Sequence, residues 1–179
     1  MRVMLVDPAG GTRRTGGSEL LADRVPPGTW VWLDLEREDA EAERALLTGR
    51  FGIHPLAVQD AQRDRHPAKL ETFEDYTFLL LKGLTADTTD IDFDTLQITM
   101  LISESFLVTR RVVESVSIDR TWNQVLEEDA RRPLRPSDLV YRIARRITDR
   151  FHGILMALEL RLEEQEQEMY ERPGDALLS

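Results

Sequence analysis

The chain has 179 residues, of which 41% are hydrophobic and 31% charged, and this composition is typical of one globular domain with a substantial core. Its formal net charge of −10 argues against nucleic acid as the main partner, because phosphate binding depends on clustered Lys and Arg, and favours a cationic partner such as a divalent metal ion. It has no cysteine, which excludes disulfides, thiolate catalysis and cysteine-bound zinc.

Neither a signal peptide nor a membrane-spanning segment is predicted. No N-terminal stretch has the basic and then apolar pattern of a signal peptide. The longest apolar runs, such as FLLL at 78–81, fall far short of the ~20 residues that cross a bilayer. The chain as given is therefore expected to be soluble.

The N-terminal third predicts one strand and one helix. Residues 2–7 form a short apolar run, and the Gly-, Pro- and Thr-rich segment 8–17 predicts a turn or mobile loop. The segment WVWLDLE at 30–36 is aromatic and β-branched and predicts a strand. Residues 38–52 are rich in Ala, Glu and Leu and predict a helix that ends near Gly49 or Gly52.

A second helix is predicted to begin at Pro55 and to be closed off by Pro67, because proline is favoured at the first helical position. Residues 76–84, 95–105 and 105–112 then predict three strands. The spacing of these strands indicates an antiparallel meander whose first connection is the acidic loop 85–94.

The C-terminal part predicts two helices. Residues 117–132 form the first, capped by Asp119 or a nearby residue. From Ser137 onwards, apolar residues four apart predict a helix of ~30 residues, about 45–50 Å long; they are Leu139, Ile143, Ile147, Ile154, Leu158 and Leu162. This helix is expected to break near Gly153 or to leave the domain as a stalk. The predicted division is an α/β domain at 1–136 and long helices at 137–179 that pack on it and lead to a stalk.

Asp60 lies at the edge of an apolar stripe on the Pro55 helix, on one face with Leu56 and Ala57. One interpretation is a surface aspartate paired with Arg63 at i+3, a pair that contributes a few tenths of a kcal/mol. The other is a carboxylate that points outward from a packed helix to hold a hydrated cation. The residues themselves favour the first interpretation.

The acidic loop carries Asp87, Asp90, Asp92 and Asp94, and oxygen-rich loops suit hard cations. In an EF-hand register from Asp90, however, Thr95 occupies the glycine position and Leu101 the position of the bidentate glutamate. A solvated hairpin loop whose charge discourages edge-to-edge pairing is therefore the favoured interpretation. The glutamate-rich segment 159–171 likewise indicates a solvated helix face.

No catalytic constellation is predicted. The three histidines, His54, His66 and His152, have no i, i+4 spacing for zinc. A G-x-S-x-G elbow and a phosphate-binding G-x-x-x-x-G-K-[ST] loop are both missing. A metal-dependent hydrolase would need clustered carboxylates, which the sequence supplies only in the probable hairpin loop, so the chain is not expected to be an enzyme.

Three segments in order, WVWLDLE, FGIHPLAVQDA and HPAKLETFEDYTFLLLKG, resemble the amino-terminal cytoplasmic domain of CorA-type magnesium and cobalt transporters. The family shows W-[IV]-[DN], then F-G-[IL]-H-P-L-x-x-E-D, then Q-R-P-K-x-E and an aromatic-rich strand. The matching residues are Trp32, Asp34, Phe51, Gly52, His54, Pro55, Leu56, Asp60, Lys69, Glu71, Phe73, Tyr76 and Phe78. The segment 138–173 resembles the paired helices that lead into the stalk, so the resemblance covers about 30–173.

The resemblance implies an α/β fold: an α/β/α sandwich with a central mixed sheet, ending in a long helix that begins a stalk. It implies a regulatory metal-sensing domain at the cytoplasmic face of the cell membrane, in a homopentamer. Asp60 would face an acidic residue of a neighbouring subunit across a hydrated Mg²⁺, which keeps the pore shut. His54, Pro55, Lys69, Glu71 and Tyr76 would be structural residues of the family motif. The cation would be Mg²⁺, or else Co²⁺ or Zn²⁺.

Two departures from the family pattern bear on these expectations. Gln59 replaces a glutamate beside Asp60, and the segment 66–69 lacks the arginine of Q-R-P-K. The pore signature and membrane helices of the family are not in this sequence, so we expect a fragment cut shortly after Pro173 that meets the membrane only through those helices. Two alternatives stay open: the zinc-transporting branch of the family, and an acidic protein-interaction module without a metal role.

Overall fold

The computed structural model describes residues 1–22, 25–63, 66–88 and 91–171, with the backbone alone at Glu171. Seven strands form one mixed sheet in the order β2-β1-β3-β7-β6-β5-β4. They are β1 (Arg2–Asp7), β2 (Thr12–Gly16), β3 (Trp30–Glu36), β4 (Lys69–Thr72), β5 (Thr77–Leu84), β6 (Thr95–Ile102) and β7 (Phe106–Arg111). The pair β3–β7 is parallel and the other neighbouring pairs are antiparallel.

Four α-helices cover the two faces of the sheet: α1 (Ala40–Phe51), α2 (Pro55–Gln62), α3 (Val116–Glu127) and α4 (Pro136–Glu171). A short 3₁₀ helix spans Ser18–Leu21. Alternate residues of β3 supply both cores: Leu33 packs with α1 and α2, and Trp32 packs with α3 and α4. The predicted α/β/α sandwich with a central mixed sheet is confirmed.

Three strands lie where no strand was predicted: β1 covers the apolar run 2–7, and β2 and β4 are the two edges of the sheet. β2 lies inside the segment 8–17, which was predicted to be a loop, and pairs with β1. β4 pairs only with β5 and is largely exposed. Neither of these edge strands has an alternating apolar face, because an edge strand with solvent beside it buries few side chains.

The helix ends refine the predictions. α1 runs through Gly49 and ends at Gly52, whose φ of 66° is the left-handed conformation that glycine adopts without strain. α3 is capped by Ser115, whose side chain accepts a hydrogen bond from the backbone N–H of Ile118. Asp119 instead lies in the first turn of α3.

α4 continues through Gly153 without a break, for 36 residues and about 54 Å at 1.5 Å per residue. Of the two predicted alternatives, the break is therefore wrong, and a helix that leaves the domain fits the exposed residues 158–170. Nothing crowds a Cβ built at Gly153, and the flanking residues are good helix formers. The side chains of Leu139, Ile143 and Ile147 are buried against the sheet, whereas residues 158–170 are all exposed. The division at residue 136 stays a prediction. No helix among the described residues is long and apolar enough to cross a membrane.

Candidate functional site

The start of α2 is fixed by the histidine, proline and tyrosine of the motif. His54 is the N-cap, and its Nδ1 accepts a hydrogen bond from the backbone N–H of Leu56, 3.2 Å away. Pro55 occupies the first turn, where its missing N–H leaves no donor unpaired. The hydroxyl of Tyr76 accepts the backbone N–H of His54 at 3.2 Å, which joins this turn to the segment before β5. These contacts fix the position and direction of α2 on the sheet.

α2 buries one face and exposes the other. Ala57, Val58 and Ala61 are buried in the core beneath α1 and α2. Leu56 is 65% exposed, so the face that it shares with Asp60 at i+4 is an outer one. Asp60 therefore lies at the surface, on a helix whose opposite side is packed.

The carboxylate of Asp60 is paired with Lys69 of β4. Lys69 Nζ lies 2.6 Å from Asp60 Oδ2 and 3.1 Å from Glu71 Oε2, and 4.9 Å from the centre of the Phe78 ring. His66 Nε2 lies 4.0 Å from Asp60 Oδ1. The side chains of Asp60 and Lys69 are 27% and 18% exposed. The predicted partner Arg63 is therefore wrong, because the fold of β4 beside α2 brings a nearer cation.

The electrostatics of this pair keep both groups charged. The hydrogen bond from Lys69 lowers the pKa of Asp60, against a smaller opposing effect of burial. The same hydrogen bond raises the pKa of Lys69, and the second one, to Glu71, raises it further. At neutral pH Asp60 is an ionised carboxylate whose Oδ2 is bonded to an ammonium group.

Of the acidic-loop residues, Asp87, Asp92 and Asp94 lie in the described part of the hairpin, and Asp90 lies outside the described residues. The loop is closed by its backbone, since Thr85 N–H donates to the carbonyl of Asp94 at 3.0 Å. A hydrogen bond from the Thr85 side chain lowers the pKa of Asp87. Across the described ranges, no group of three or more His, Cys, Asp or Glu side chains is placed to hold a metal ion.

A buried charge network lies on the opposite face of the sheet, and sequence reasoning missed it. Asp34 of β3 accepts hydrogen bonds from Arg2 Nε at 2.9 Å, Arg111 NH2 at 3.1 Å and Thr109 Oγ1 at 2.6 Å. Arg111 and Arg2 also bond to Asp119. The available signal was an aspartate on the same strand face as two buried tryptophans, since a buried carboxylate requires a cation or several donors. The network joins β1, β3, β7 and α3 and has a structural role.

The sequence is similar to a known protein family and to curated proteins. The family described as CorA-like Mg2+ transporter protein matches residues 27–179. "Putative metal ion transporter YfjQ" of Bacillus subtilis is 25% identical over 142 residues, which are 79% of this chain and 43% of that protein. "Cobalt/magnesium transport protein CorA" of Thermotoga maritima is 24% identical over 124 residues, 69% of this chain and 35% of that protein. The chain thus spans less than half the length of these curated relatives.

Among solved structures, the soluble domain of CorA from Methanocaldococcus jannaschii matches with a TM-score of 0.69 and 20% identity. The match covers 94% of this chain and 64% of that one, and at this identity it is a likeness of fold. The fold and the family match over residues 27–179 agree. The chain belongs to the family of CorA-like Mg²⁺ transporter proteins.

Proposed function

We propose that this chain is the regulatory, metal-sensing cytoplasmic domain of a CorA-like divalent cation transport channel. In this proposal Mg²⁺ binds at Asp60, between neighbouring subunits of a homopentamer, and the transported ion is Mg²⁺ or Co²⁺. The domain itself carries out no reaction. The proposal rests on one observation above all, the ionised and partly exposed carboxylate of Asp60 on a helix packed firmly from behind.

The chemistry of Asp60 suits a hydrated ion. Mg²⁺ gives up its water reluctantly and is commonly held through one or two carboxylates. Asp60 supplies one carboxylate, and its Oδ1 has no contact closer than His66 at 4.0 Å among the described salt bridges. A second carboxylate from a neighbouring subunit would complete such a site, which accords with the lack of a three-ligand cluster in the described part of one chain.

Lys69 of the same chain places an ammonium group against the carboxylate of Asp60. When no metal is bound, the ammonium group hydrogen-bonds both Asp60 and Glu71 and offsets one of their two negative charges. A divalent ion at Asp60 would add positive charge at the surface of a subunit whose net charge is −10, and so reduce the repulsion between neighbouring subunits. Loss of the ion would restore that repulsion and shift the population towards loosened subunits, provided that the ion binds the two arrangements with different affinity.

Thermal unfolding across a Mg²⁺ titration at constant ionic strength tests the proposal. A ligand that binds only the folded state raises the midpoint, and stabilises by about 2.7 kcal/mol at a concentration 100 times its Kd. We expect the wild type to respond, Asp60→Asn not to respond, and the acidic-loop variant Asp94→Asn to respond as the wild type does. Light scattering on the same samples measures whether Mg²⁺ promotes self-association.

Equal responses of the wild type and Asp60→Asn would contradict the proposal and direct attention to the acidic loop. A wild type that neither gains stability nor associates in Mg²⁺ would contradict metal sensing by this chain and favour an interaction module without a metal role. A parallel titration with Zn²⁺ addresses the zinc-transporting branch, because a sensor of that branch is expected to respond to Zn²⁺ at lower free concentrations than to Mg²⁺.

A further inference from the structure

We propose that a small cavity between α3 and α4 is a binding site for a phosphate-bearing anion. The cavity has a volume of about 280 Å³ and is lined by Val116, Ser117, Arg120, Arg146, Asp149 and Arg150. Three guanidinium groups from two helices therefore meet around one cavity that contains a single carboxylate. This inference does not depend on metal sensing at Asp60.

The three arginines have spare hydrogen-bond donors and no carboxylate partner among the described residues. Arg120 is exposed, and no hydrogen bond or ion pair of its side chain is found in the described ranges. Arg146 NH2 donates to the neutral Oε1 of Gln124 at 2.6 Å. Arg150 donates to two backbone carbonyls, those of Leu84 at 2.6 Å and Thr85 at 2.7 Å. Each guanidinium has five N–H donors, so several remain available to a ligand.

Asp149 leaves most of this charge uncompensated. Its side chain is 68% exposed, and its ion pair, at 3.8 Å, is with Arg145, which does not line the cavity. Burial lowers the pKa of Arg150, and the nearby charge of Arg120 lowers it further, as expected where like charges are close together. In a chain with a net charge of −10, this crowding is a local property of the α3–α4 junction.

The class of ligand follows from the geometry of arginine. The planar guanidinium binds the oxygens of phosphate in a bidentate manner, and such charge-assisted hydrogen bonds are stronger than neutral ones. Three guanidinium groups around 280 Å³ suit one or two phosphate groups rather than a whole nucleotide, because pockets for drug-sized ligands are larger, about 300–1,000 Å³.

A larger groove adjoins the cavity and could hold the rest of an organic phosphate. It has a volume of about 700 Å³ and shares Arg146 and Asp149 with the cavity. Tyr141, which is largely exposed, offers a ring at its wall. Arg142, also in the groove, is already paired with Glu128 at 2.8 and 3.0 Å.

Isothermal titration calorimetry with pyrophosphate tests the inference. The solutions contain EDTA and no divalent metal, at matched ionic strength, so the outcome is independent of any Mg²⁺ site. We expect saturable binding to the wild type. Arg120→Gln and Arg146→Gln should each weaken binding about tenfold, which is the loss of roughly one charge-assisted hydrogen bond. The matched control is Arg135→Gln, which removes the same charge from an exposed pair with Asp138 outside the cavity.

Wild-type affinity in both cavity variants, or equal weakening by Arg135→Gln, would overturn the proposal, and so would the absence of saturable binding. Unfolding midpoints without ligand identify any variant that loses affinity by misfolding. A nucleoside diphosphate distinguishes the two sources of this chemistry. Tighter binding than pyrophosphate indicates an organic phosphate whose remainder contacts the groove, and equal affinity indicates recognition of the phosphates alone.

Discussion

Replacement of Lys69 by methionine tests whether the ammonium group competes with metal at Asp60. In the wild type an ion that draws on both carboxylate oxygens must displace Lys69 Nζ from Oδ2, where it lies 2.6 Å away. Methionine keeps the length and apolar stem of the side chain and removes the charge, and its sulfur can pack on the Phe78 ring in place of the ammonium group. We therefore expect Mg²⁺ to bind more tightly to Lys69→Met than to the wild type.

The size of the effect follows from the burial of the pair. Fully exposed ion pairs contribute about 0.2–1 kcal/mol, whereas hydrogen bonds to charged groups contribute about 1.5–3 kcal/mol. Asp60 and Lys69 are 27% and 18% exposed, which lies between these cases, so we take about 1–2 kcal/mol for the contact that the metal must replace. At 1.36 kcal/mol per tenfold change, Kd should fall about five- to thirtyfold.

The assay is calorimetric titration with Mg²⁺, and the chain provides a matched control. It contains only two lysines, and the second, Lys82, has its Nζ 3.5 Å from the neutral Oε1 of Gln97. Lys82→Met removes the same charge without contacting Asp60 and should change Kd by less than about twofold, because more distant exposed charges are screened by salt.

A Kd for Lys69→Met within twofold of the wild type would refute the competition. Equal tightening by Lys82→Met would show that net charge, rather than the contact with Asp60, sets the affinity. The double variant Lys69→Met, Asp60→Asn completes the cycle, because competition requires that the gain vanish when the carboxylate is absent.

Two further predictions concern stability. Asp34→Ala removes the buried partner of Arg111, whose side chain is 2% exposed, and should lower the free energy of unfolding, measured in urea, by about 3–5 kcal/mol. The control is Glu36→Ala, which removes a partner of Arg111 that is 45% exposed and should lower the free energy of unfolding by under about 1 kcal/mol. A loss under about 1 kcal/mol for Asp34→Ala would contradict the role of the network. The stability difference between the wild type and Asp60→Asn should be constant from about pH 5 to 9. This difference should shrink as pH falls below about 4, because the pKa of Asp60 is lowered in the folded state. It should also shrink as pH rises above about 10, because the pKa of Lys69 is raised in the folded state. A difference that does not change below pH 4 would show that the pair is not ionic.

The strands that the sequence predicted are those that bury side chains. β3 and the meander β5–β7 carry β-branched and aromatic residues on buried faces. The order and antiparallel pairing of the meander were predicted correctly. β2 and β4 could not be identified in this way, because an edge strand is held by backbone hydrogen bonds to one neighbour. Local composition does not report such a pairing.

In the candidate site, too, the local features were predictable from the sequence and the long-range contacts were not. The place of Pro55 in the first turn of α2 follows from local helix chemistry and was predicted. The partner of Asp60 was not, since Lys69 reaches it only after β4 has joined the sheet beside α2. The pairing of Asp34 with Arg111 likewise depends on the parallel register of β3 and β7, which connects residues far apart in the chain.

The continuity of α4 through Gly153 has a mechanical consequence. Its first half is clamped to the sheet, and Arg150 ties it to the end of β5. The span from residue 151 to 171, which is exposed throughout 158–170, extends about 30 Å beyond that tie at 1.5 Å per residue. A tilt of only about 5° at the clamp would carry the far end through about 2.6 Å over this length, roughly the diameter of a water molecule. An unbroken helix therefore acts as a lever arm, whereas a helix broken at Gly153 would absorb the same tilt at its hinge.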